Sequence, residues 1–447
     1  MEPIRCDVLV LGGGPAGAVA AALLARAGVD VTLLERARFP RFHLGESLAP
    51  AATAVLDELG LRDTIDGRYL RKHGVAVRCA RTGRQQRFRY DEAFEPGHAL
   101  AWQVPRADFD DVLLRCARLH GAEVLEGHAA EDVIFEDGCA RGVVARRQDG
   151  RQVSAHARLV VDATGHDALL AGRRGDRHPI EGMERTALSA HFRNVARPGG
   201  EAEGDLELIL FPHGWIWNIP FLGEVSSVGA LCAHTWMRAR QPAEALESFF
   251  DRTVEDASFA REALASATRL TPVLAHSGLS WRANRRVGDG WITVGDAGGF
   301  TDPLLCAGTT LAIVGAARAA SAVRAALDLG DVSAARFEPF ARDLDAASDL
   351  FLGTTRSLYA DELSDVLLGG GARVDRRAFA SILAGDVFGD DDKGDDGSAE
   401  LCAGAALGDE RTGGGGAALG DDRDGGGGRR DGGGCRCSIA STSAGML

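Results

Sequence analysis

The chain contains very little lysine. Lys72 and Lys393 are its only two lysines, whereas lysine and arginine together number 50 among 447 residues. Arginine therefore supplies almost all of the positive charge, and a guanidinium stays protonated at any ordinary pH. Lys393 lies in a Gly/Asp-rich stretch, so Lys72 is the single amine that the predicted folded part offers as a nucleophile or proton donor. The ordinary alternative is a surface lysine with no special task.

The chain also lacks a basic excess, a cysteine framework and a long apolar run. Its formal net charge of −14 argues against nucleic acid as a partner. The nine cysteines show no C-x-x-C spacing, and their odd number indicates reduced thiols of the cytoplasm. The opening "MEPIRCDVLVLGGG" leads directly into a strand pattern, so we expect no signal sequence. No run of about 18 apolar residues occurs, so we expect no membrane span.

Composition changes sharply from residue 385 onward. Glycine, aspartate, alanine and arginine dominate, and "AALGDERTGGGG" at 405–416 recurs as "AALGDDRDGGGG" at 417–428. Such a short glycine-rich period cannot bury an apolar core. The sequence therefore predicts a disordered tail over 385–447.

A nucleotide-binding pattern occupies residues 6–36. The sequence reads as a strand, a glycine turn, an Ala/Leu-rich helix and a second strand, with Gly12, Gly14 and Gly17 in G-x-G-x-x-G spacing. The glycines permit close approach to a pyrophosphate at the helix N-terminus, and Glu35 ends the second strand, where it can accept hydrogen bonds from a ribose. The continuous apolar first strand predicts a parallel strand buried on both faces. The other predicted cofactor contacts of this unit are Pro15, Ala16 and Arg36.

Two later segments resemble flavin-dependent monooxygenases and halogenases. "GDAGGFTDPLLCAG" places Gly295 and Asp296 at the end of a strand, and in that superfamily a late G-D motif contacts the FAD ribityl chain. "VPRADFDDVLL" resembles the shared helix whose arginine, here Arg106, approaches the flavin phosphates. The resemblance implies FAD as cofactor and an α/β fold. That fold has a Rossmann-like FAD-binding domain of glutathione-reductase type, an inserted mixed β-sheet substrate domain and a short helical C-terminal region.

The predicted domains are 1–175 with 276–332 for FAD, 176–275 with about 76–104 for the substrate-facing sheet, 333–384 for the helical region, and 385–447 for the tail.

A second motif of single-chain flavin hydroxylases is incomplete. In "VVDATGHDALLAGR", Asp162 and Gly165 are present, but the tight D-G pair is missing and Ala168 stands where a serine is expected. No second nucleotide fingerprint appears elsewhere in the sequence. The resemblance therefore implies that reduced flavin comes from a separate flavin reductase.

The segment "FPHGWIWNIPF" carries the most specific signal. Trp215, Trp217 and Ile219 alternate, which predicts a strand with all three on one face. An aromatic core strand would explain this period but not two indoles followed by Pro220. W-x-W-x-I-P is typical of flavin-dependent halogenases, in which this strand lies between the flavin and the substrate pocket.

Two further stretches resemble the halogenases. Gly45, Glu46 and Ser47 match the family's G-E-S turn near the flavin, although Ser47 could also cap a helix. Lys72 follows 26 residues after Glu46 in "YLRKHG", as in halogenases of phenols and pyrroles. In the family this lysine carries the electrophilic halogen. Glu46 of the G-E-S turn is the candidate general base.

The loop "FTDPLLCAG" resembles the family's halide loop, F-x-x-P-x-x-S-x-G. Phe300, Pro303 and Gly308 match, and backbone N–H groups around Ala307 would hold the halide. Cys306 stands in the serine position. A thiol beside hypohalous acid is exposed to oxidation.

The resemblance implies a halogenation reaction of secondary metabolism. In the family, reduced FAD and O2 form a flavin peroxide, halide attacks it, and hypohalous acid travels to the lysine, which positions the halogen against an electron-rich ring. The predicted substrate is a small aromatic compound such as a phenol, pyrrole or indole, either free or tethered to a carrier protein. A two-component hydroxylase or epoxidase is the main alternative, and a flavoprotein maturation or interaction factor is a further one. His43, His166 and His213 lack partners at metal-ligand spacing, so no metal is predicted.

Overall fold

The fold begins with the predicted strand–turn–helix–strand unit. The computed structural model describes residues 3–94, 99–360, 367–368 and 375–388. The strands are β1 (Ile4–Leu11), β2 (Val31–Glu35), β3 (Leu70–Lys72), β4 (Gly74–Cys79), β5 (Gln85–Arg89), β6 (Ala101–Gln103), β7 (Glu123–Glu126), β8 (His128–Glu136), β9 (Cys139–Arg147), β10 (Gln152–Asp162), β11 (His178–Pro179), β12 (Arg185–Arg193), β13 (Leu206–Phe211), β14 (Gly214–Pro220), β15 (Val225–Ala233), β16 (Thr268–Arg269), β17 (Leu274–Ser277), β18 (Trp281–Arg282), β19 (Val287–Gly288), β20 (Trp291–Thr293) and β21 (Gly299–Phe300).

The α-helices are α1 (Pro15–Arg26), α2 (Ala52–Glu58), α3 (Arg62–Asp66), α4 (Arg106–Leu119), α5 (Leu169–Arg173), α6 (His234–Arg238), α7 (Leu246–Glu255), α8 (Ser258–Leu264), α9 (Ala307–Leu329), α10 (Ala334–Ala360) and α11 (Arg376–Ala384). Short 3-10 helices cover Tyr90–Glu92, Gly165–Asp167, Gly200–Ala202 and Gly295–Gly298.

The first sheet has the order β19-β20-β10-β1-β2-β7, with β9 beside β10 and β8 beside β9. Its central strands β20, β10, β1, β2 and β7 are parallel. Val8 and Val10 of β1 pack into the cluster that includes α1, whereas Leu9 and Leu11 pack on the opposite side against β9 and β10. The prediction of a parallel strand buried on both faces is confirmed, and so is the Rossmann-like α/β class.

The second sheet has the order β16-β12-β15-β14-β13-β4-β5, with β17 beside β12. Strands β4 and β13 are parallel, and the remaining neighbours are antiparallel. One face joins the main core through Trp215 and Trp217, and the other packs Ile209 and Ile216 toward α7 and α8. This is the predicted mixed sheet, and it combines strands from 74–89 with strands from 185–277.

Helix α9 packs between α1 and α10. Among the described residues, α9 is the one helix that is long enough and apolar enough to cross a membrane, with 23 residues and a mean hydropathy of 1.3. However, 56% of that apolar window is buried inside the protein, as in a core helix. The absence of a membrane span and the cytoplasmic location remain predictions.

The predicted helical region 333–384 contains α10 and α11, and residues 361–366 and 369–374 lie outside the described residues. Val387 is buried in the core, so packed structure continues past the predicted boundary at residue 385. The rest of the predicted tail, residues 389–447, lies outside the described residues.

Candidate functional site

A cavity of about 780 Å³ lies between the two sheets. Its size falls within the roughly 300–1,000 Å³ of small-molecule and cofactor sites. Most of the predicted site residues line it: Gly12, Gly14, Pro15, Ala16, Glu35, Arg36, Glu46, Ser47, Arg106, Trp215, Trp217, Ile219, Asp296, Pro303, Cys306 and Gly308. Four predicted residues are not among the lining residues: Gly17, Lys72, Pro220 and Ala307.

The glycine turn is packed so closely that two of its positions have no room for a side chain. Gly12 adopts φ +99°, and a Cβ there would lie 2.4 Å from the carbonyl oxygen of Ala163. A Cβ at Gly17 would lie 1.9 Å from the Gly12 oxygen, so Gly17 permits tight packing of turn and helix rather than lining the cavity. Gly14 caps α1 without a side-chain hydrogen bond. The free N–H groups of the first helical turn are therefore available to an anion in the cavity.

Glu35 holds this turn from the end of β2. Its carboxylate accepts hydrogen bonds from the backbone N–H groups of Gly13 and Ala37, both at 2.7 Å. A carboxylate has about four acceptor positions, so Glu35 can still accept from a ribose hydroxyl. Arg36 also lines the cavity, but its side chain is mostly exposed and pairs with Asp167.

Arg106 is buried at the start of α4 and paired within its own helix. Its Nε and Nη2 donate to the two carboxylate oxygens of Asp110 at 2.6 and 2.9 Å. Its Nη1 donates to the carbonyl oxygen of Leu44 at 2.6 Å, which fixes the loop before the G-E-S turn. We did not foresee Asp110 from the sequence, although the i, i+4 spacing of the two residues on a predicted helix could have indicated it.

Asp296 was predicted at a strand end, but it lines the cavity from the 3-10 helix Gly295–Gly298 that follows β20. Burial raises its pKa to about 6, and the opposing effect of nearby Arg106 does not cancel that change. A buried carboxyl in this position can hydrogen-bond a polyhydroxyl chain in either protonation state.

The tryptophan strand β14 forms one wall of the cavity. Trp215, Trp217 and Ile219 all face it, which confirms the predicted alternation. The two indole rings lie 5.8 Å apart at their centroids. A Cβ at Gly229, opposite Trp217 on β15, would lie 2.1 Å from the indole, so glycine there makes room for the ring. Pro220 ends the strand and is buried.

Trp215 is linked through a tyrosine to the loop "FTDPLLCAG", which resembles the family's halide loop. Its Nε1 donates to the hydroxyl of Tyr359 at 3.0 Å, and that hydroxyl donates to the Asp302 carboxylate at 3.2 Å. Burial raises the pKa of Asp302 to about 6. Sequence reasoning missed Tyr359, because it lies on α10, far along the chain, and carries no motif.

Lys72 is fully buried, with 0% of its surface exposed. Its Nζ donates to Ser47 Oγ at 2.8 Å and to the Leu48 carbonyl at 3.0 Å, and it lies 3.8 Å from Cys306 Sγ. The same nitrogen lies 5.3 Å from the centre of the Tyr90 ring. Burial lowers the pKa of Lys72, and Cys306 and Asp205 act in the opposite direction. The surface-lysine alternative is therefore wrong.

Ser47 and Cys306 separate Lys72 from the cavity, since both line the cavity and both contact the amine. The alternative that Ser47 caps a helix is wrong. Helix α2 begins at Ala52, and its cap, Ala51, makes no side-chain hydrogen bond. The Ser47 hydroxyl instead accepts a hydrogen bond from Lys72.

Glu46 is buried and pairs with a histidine rather than with the lysine. Its Oε1 lies 2.9 Å from His191 Nε2, and the His191 ring packs edge-on against Phe42 and Phe221. His191 belongs to β12 and was not indicated by any sequence motif. The role of Glu46 as a general base remains a prediction.

Cys306 ends the loop that leads into α9. It adopts the left-handed conformation at φ +55° and immediately precedes the first helical residue, buried Ala307. Gly308 and Thr309, in the first turn of α9, line the cavity. The N-terminus of this 23-residue helix therefore faces the cavity with its positive dipole end.

The three histidines named from the sequence have different surroundings. His43 and His166 line the cavity. The His213 ring stacks on Trp236, with 3.8 Å between the ring centroids. Within the described ranges, no group of three or more His, Cys, Asp or Glu side chains could hold a metal ion.

Comparison with known proteins agrees with this geometry. The FAD binding domain family matches residues 5–330. A tryptophan 2-halogenase of Chondromyces crocatus is 31% identical over 349 residues, which are 76% of this chain but only 64% of that protein. A 1H-pyrrole-2-carbonyl-(peptidyl-carrier protein) brominase of Pseudoalteromonas luteoviolacea is 30% identical over 331 residues, covering 73% of this chain and 79% of that protein.

Among solved structures, a flavoprotein/dehydrogenase from Cytophaga hutchinsonii superposes with a TM-score of 0.79 at 27% identity. The superposition covers 86% of this chain and 94% of that one. FAD is therefore the cofactor that fits both the family and the cavity.

Proposed function

Since this chain belongs to the flavin-dependent halogenase family, we propose that it halogenates an electron-rich aromatic compound with reduced FAD, O2 and halide. The observation that carries the proposal is the burial of Lys72 directly behind the cavity wall. A fully buried amine with a lowered pKa is the kind of group that can carry a halogen.

Different cavity residues would bind different parts of FAD. Gly12, Gly14 and the start of α1 would hold the pyrophosphate, Glu35 a ribose and Asp296 the ribityl chain. Bound reduced FAD supplies, with O2, the oxidant that converts halide to hypohalous acid. Because the sequence shows no second nucleotide fingerprint, the reduced flavin would come from a separate reductase.

The halide would lie at the N-terminus of α9. Backbone N–H groups of the first turn, near Ala307 and Gly308, have no partner within the helix and suit a small anion. The indoles of Trp215 and Trp217 line the cavity and would keep a bulky aromatic substrate away from the cofactor.

Lys72 would receive the halogen behind Ser47 and Cys306, which separate its amine from the cavity. As an ammonium, it donates a hydrogen bond to hypohalous acid, and as a neutral amine it can form a haloamine. Desolvation increases the neutral fraction, because burial disfavours the charged form. Arginine would supply the hydrogen bond but not the covalent route, so this role would account for a lysine at this position of an arginine-rich chain.

The substrate class follows from the relatives only as a proposal. Their names mention tryptophan and a pyrrole on a carrier protein. A phenol, pyrrole or indole is therefore the expected acceptor for this chain, free or tethered to a carrier.

The test is a turnover assay with FAD, a generic flavin reductase, NADH and O2. A panel of phenols, pyrroles and indoles is supplied with chloride, bromide or neither, and the products are identified by mass spectrometry. We expect a halogen isotope pattern that disappears in Lys72→Ala while FAD binding persists. Lys393→Arg is the matched control, because it changes the other lysine of the chain and should leave the product unchanged. A Lys72→Arg enzyme with full activity would contradict the haloamine route.

Direct oxygen transfer, which needs no halide, is the second candidate. The observation that favours it is Cys306, which replaces the serine of the family's halide loop. A hydroxylated or epoxidised product that forms equally well without halide would establish this alternative. In that case Trp215 and Trp217 are a wall of the core and Lys72 has no carrier role.

A further inference from the structure

Cys306 occupies the path between the cavity and Lys72. We propose that an electrophilic halogen entering the cavity without an acceptor ring in place joins Cys306 and Lys72 through a covalent sulfur–nitrogen bond. The bridge blocks the amine and switches the protein off until a thiol reductant cleaves it. This inference rests on the proposed function for the source of the halogen and for the role of Lys72 in turnover.

The geometry brings the two atoms together and holds them there. Cys306 Sγ lies 3.8 Å from Lys72 Nζ, about the contact distance of two unbonded heavy atoms. The cysteine backbone is fixed on both sides, since its N–H donates to the Pro303 carbonyl and its carbonyl accepts from Thr310 Oγ1 at 3.1 Å. The lysine is fixed by Ser47 and Leu48.

The order of access favours the thiol as the first group to react. Cys306 lines the cavity and is partly exposed, whereas Lys72 has no exposed surface and does not line it. A halogen coming from the cavity therefore meets sulfur before nitrogen. Sulfur in cysteine is also the softer and more readily oxidised of the two atoms.

The chemistry balances in two steps. In the first, hypohalous acid reacts with the thiol to give a sulfenyl halide and water. In the second, the neutral amine attacks that sulfur, a nitrogen–sulfur bond forms, halide leaves with the bonding electrons of the sulfur–halogen bond, and the amine loses a proton. Hypohalous acid is the two-electron oxidant, and the protein loses two hydrogen atoms in total. Two equivalents of an external thiol reverse the oxidation and become a disulfide.

The burial of Lys72 supports the second step. Desolvation lowers the pKa of Lys72, so the nucleophilic neutral amine is easier to reach than in water. The amine is also held against the sulfur, whereas water must reach it through the cavity. Capture of oxidised cysteine by a neighbouring nitrogen is known chemistry on the thiol oxidation ladder.

The first experiment supplies the oxidant directly, so that it does not depend on turnover. The FAD-loaded protein is treated with one equivalent of hypochlorite, digested and mapped by mass spectrometry. We expect a linked pair of peptides containing residues 72 and 306, two hydrogens lighter than their sum, that separates on reduction with dithiothreitol. The link should be lost in Cys306→Ser and in Lys72→Arg and kept in Cys79→Ser, which changes a buried cysteine of β4. Cys306 recovered as sulfinic or sulfonic acid with no linked peptide would overturn the proposal.

The second experiment generates the oxidant by turnover with reductase, NADH, O2 and chloride but no aromatic compound. We expect the same link to accumulate as activity falls, and activity to return with dithiothreitol. Halogenated product in the presence of an aromatic substrate, without any link in its absence, would overturn the switch. A link with hypochlorite but neither link nor halogenated product in turnover would instead contradict the proposed function.

Discussion

At the scale of single residues, the chemistry depends on where a side chain is buried rather than on its type alone. The scarcity of lysine singled out Lys72, and the structure places its amine at 0% exposure between Ser47 and Cys306. The same holds for Glu35, whose two carboxylate oxygens each accept a backbone N–H group. Both residues are charged types that proteins rarely bury without partners.

Replacing Glu35 by glutamine should weaken FAD binding. The amide keeps one acceptor oxygen but turns a donor toward one of the two backbone N–H groups, and hydrogen bonds to a charged group contribute about 1.5–3 kcal/mol. We therefore expect the Kd for FAD, measured by fluorescence titration, to rise roughly 10- to 100-fold. Glu136→Gln, at the exposed end of β8, is the control and should bind FAD like the unaltered protein. Equal affinity in the two variants would contradict the role assigned to Glu35.

At the scale of elements, one helix carries two ion pairs of the same spacing and very different surroundings. In α4, the pair of Arg106 and Asp110 is buried, whereas in the pair of Asp111 and Arg115 the arginine side chain is 69% exposed. A buried charge that loses its partner is strongly destabilising, but a surface pair contributes little.

Asp110→Asn should therefore lower the free energy of unfolding by about 3–5 kcal/mol, because it leaves the buried Arg106 charge without its bidentate partner. Asp111→Asn, one position along the same helix, should lower it by only about 0.5 kcal/mol or less. Urea denaturation of both variants under the same conditions measures the difference. Similar losses in the two variants would show that Arg106 finds another counter-charge or that the pair is hydrated.

At the scale of the whole molecule, three distant segments meet at Tyr359. Helix α10 supplies the tyrosine, β14 supplies Trp215, and the loop before α9 supplies Asp302. This contact connects the C-terminal helices to the cavity wall and to the loop beside the predicted halide position. Burial of Asp302 at that junction makes the stability of the fold depend on pH.

The pH dependence has a definite sign. The pKa of Asp302 rises from about 3.9 in the unfolded chain to about 6 in the fold. The folded state therefore binds the proton more tightly, and the resulting stabilisation is complete below about pH 4 and is lost as pH rises to about 6.

Comparison with Asp302→Asn isolates this group. The free energy of unfolding of the unaltered protein, minus that of the variant, should fall between about pH 4 and pH 6 and stay level above that range. Chemical denaturation across this range measures the difference, with the exposed Asp349→Asn as control. A difference that is constant or increases with pH would contradict the buried, protonated carboxyl.

The sequence by itself determined the Rossmann-like sheet, the glycine turn and the one-sided face of Trp215, Trp217 and Ile219. These features depend on short-range periodicity and on backbone freedom at particular glycines, both of which are written in consecutive residues. The tertiary structure decided what surrounds each functional group. The sulfur of Cys306 beside Lys72, the pairing of Glu46 with His191 and the hydroxyl of Tyr359 on Trp215 join residues that are 144 to 234 positions apart. Local sequence contains no trace of such contacts, because burial and partners arise only when separate elements pack together.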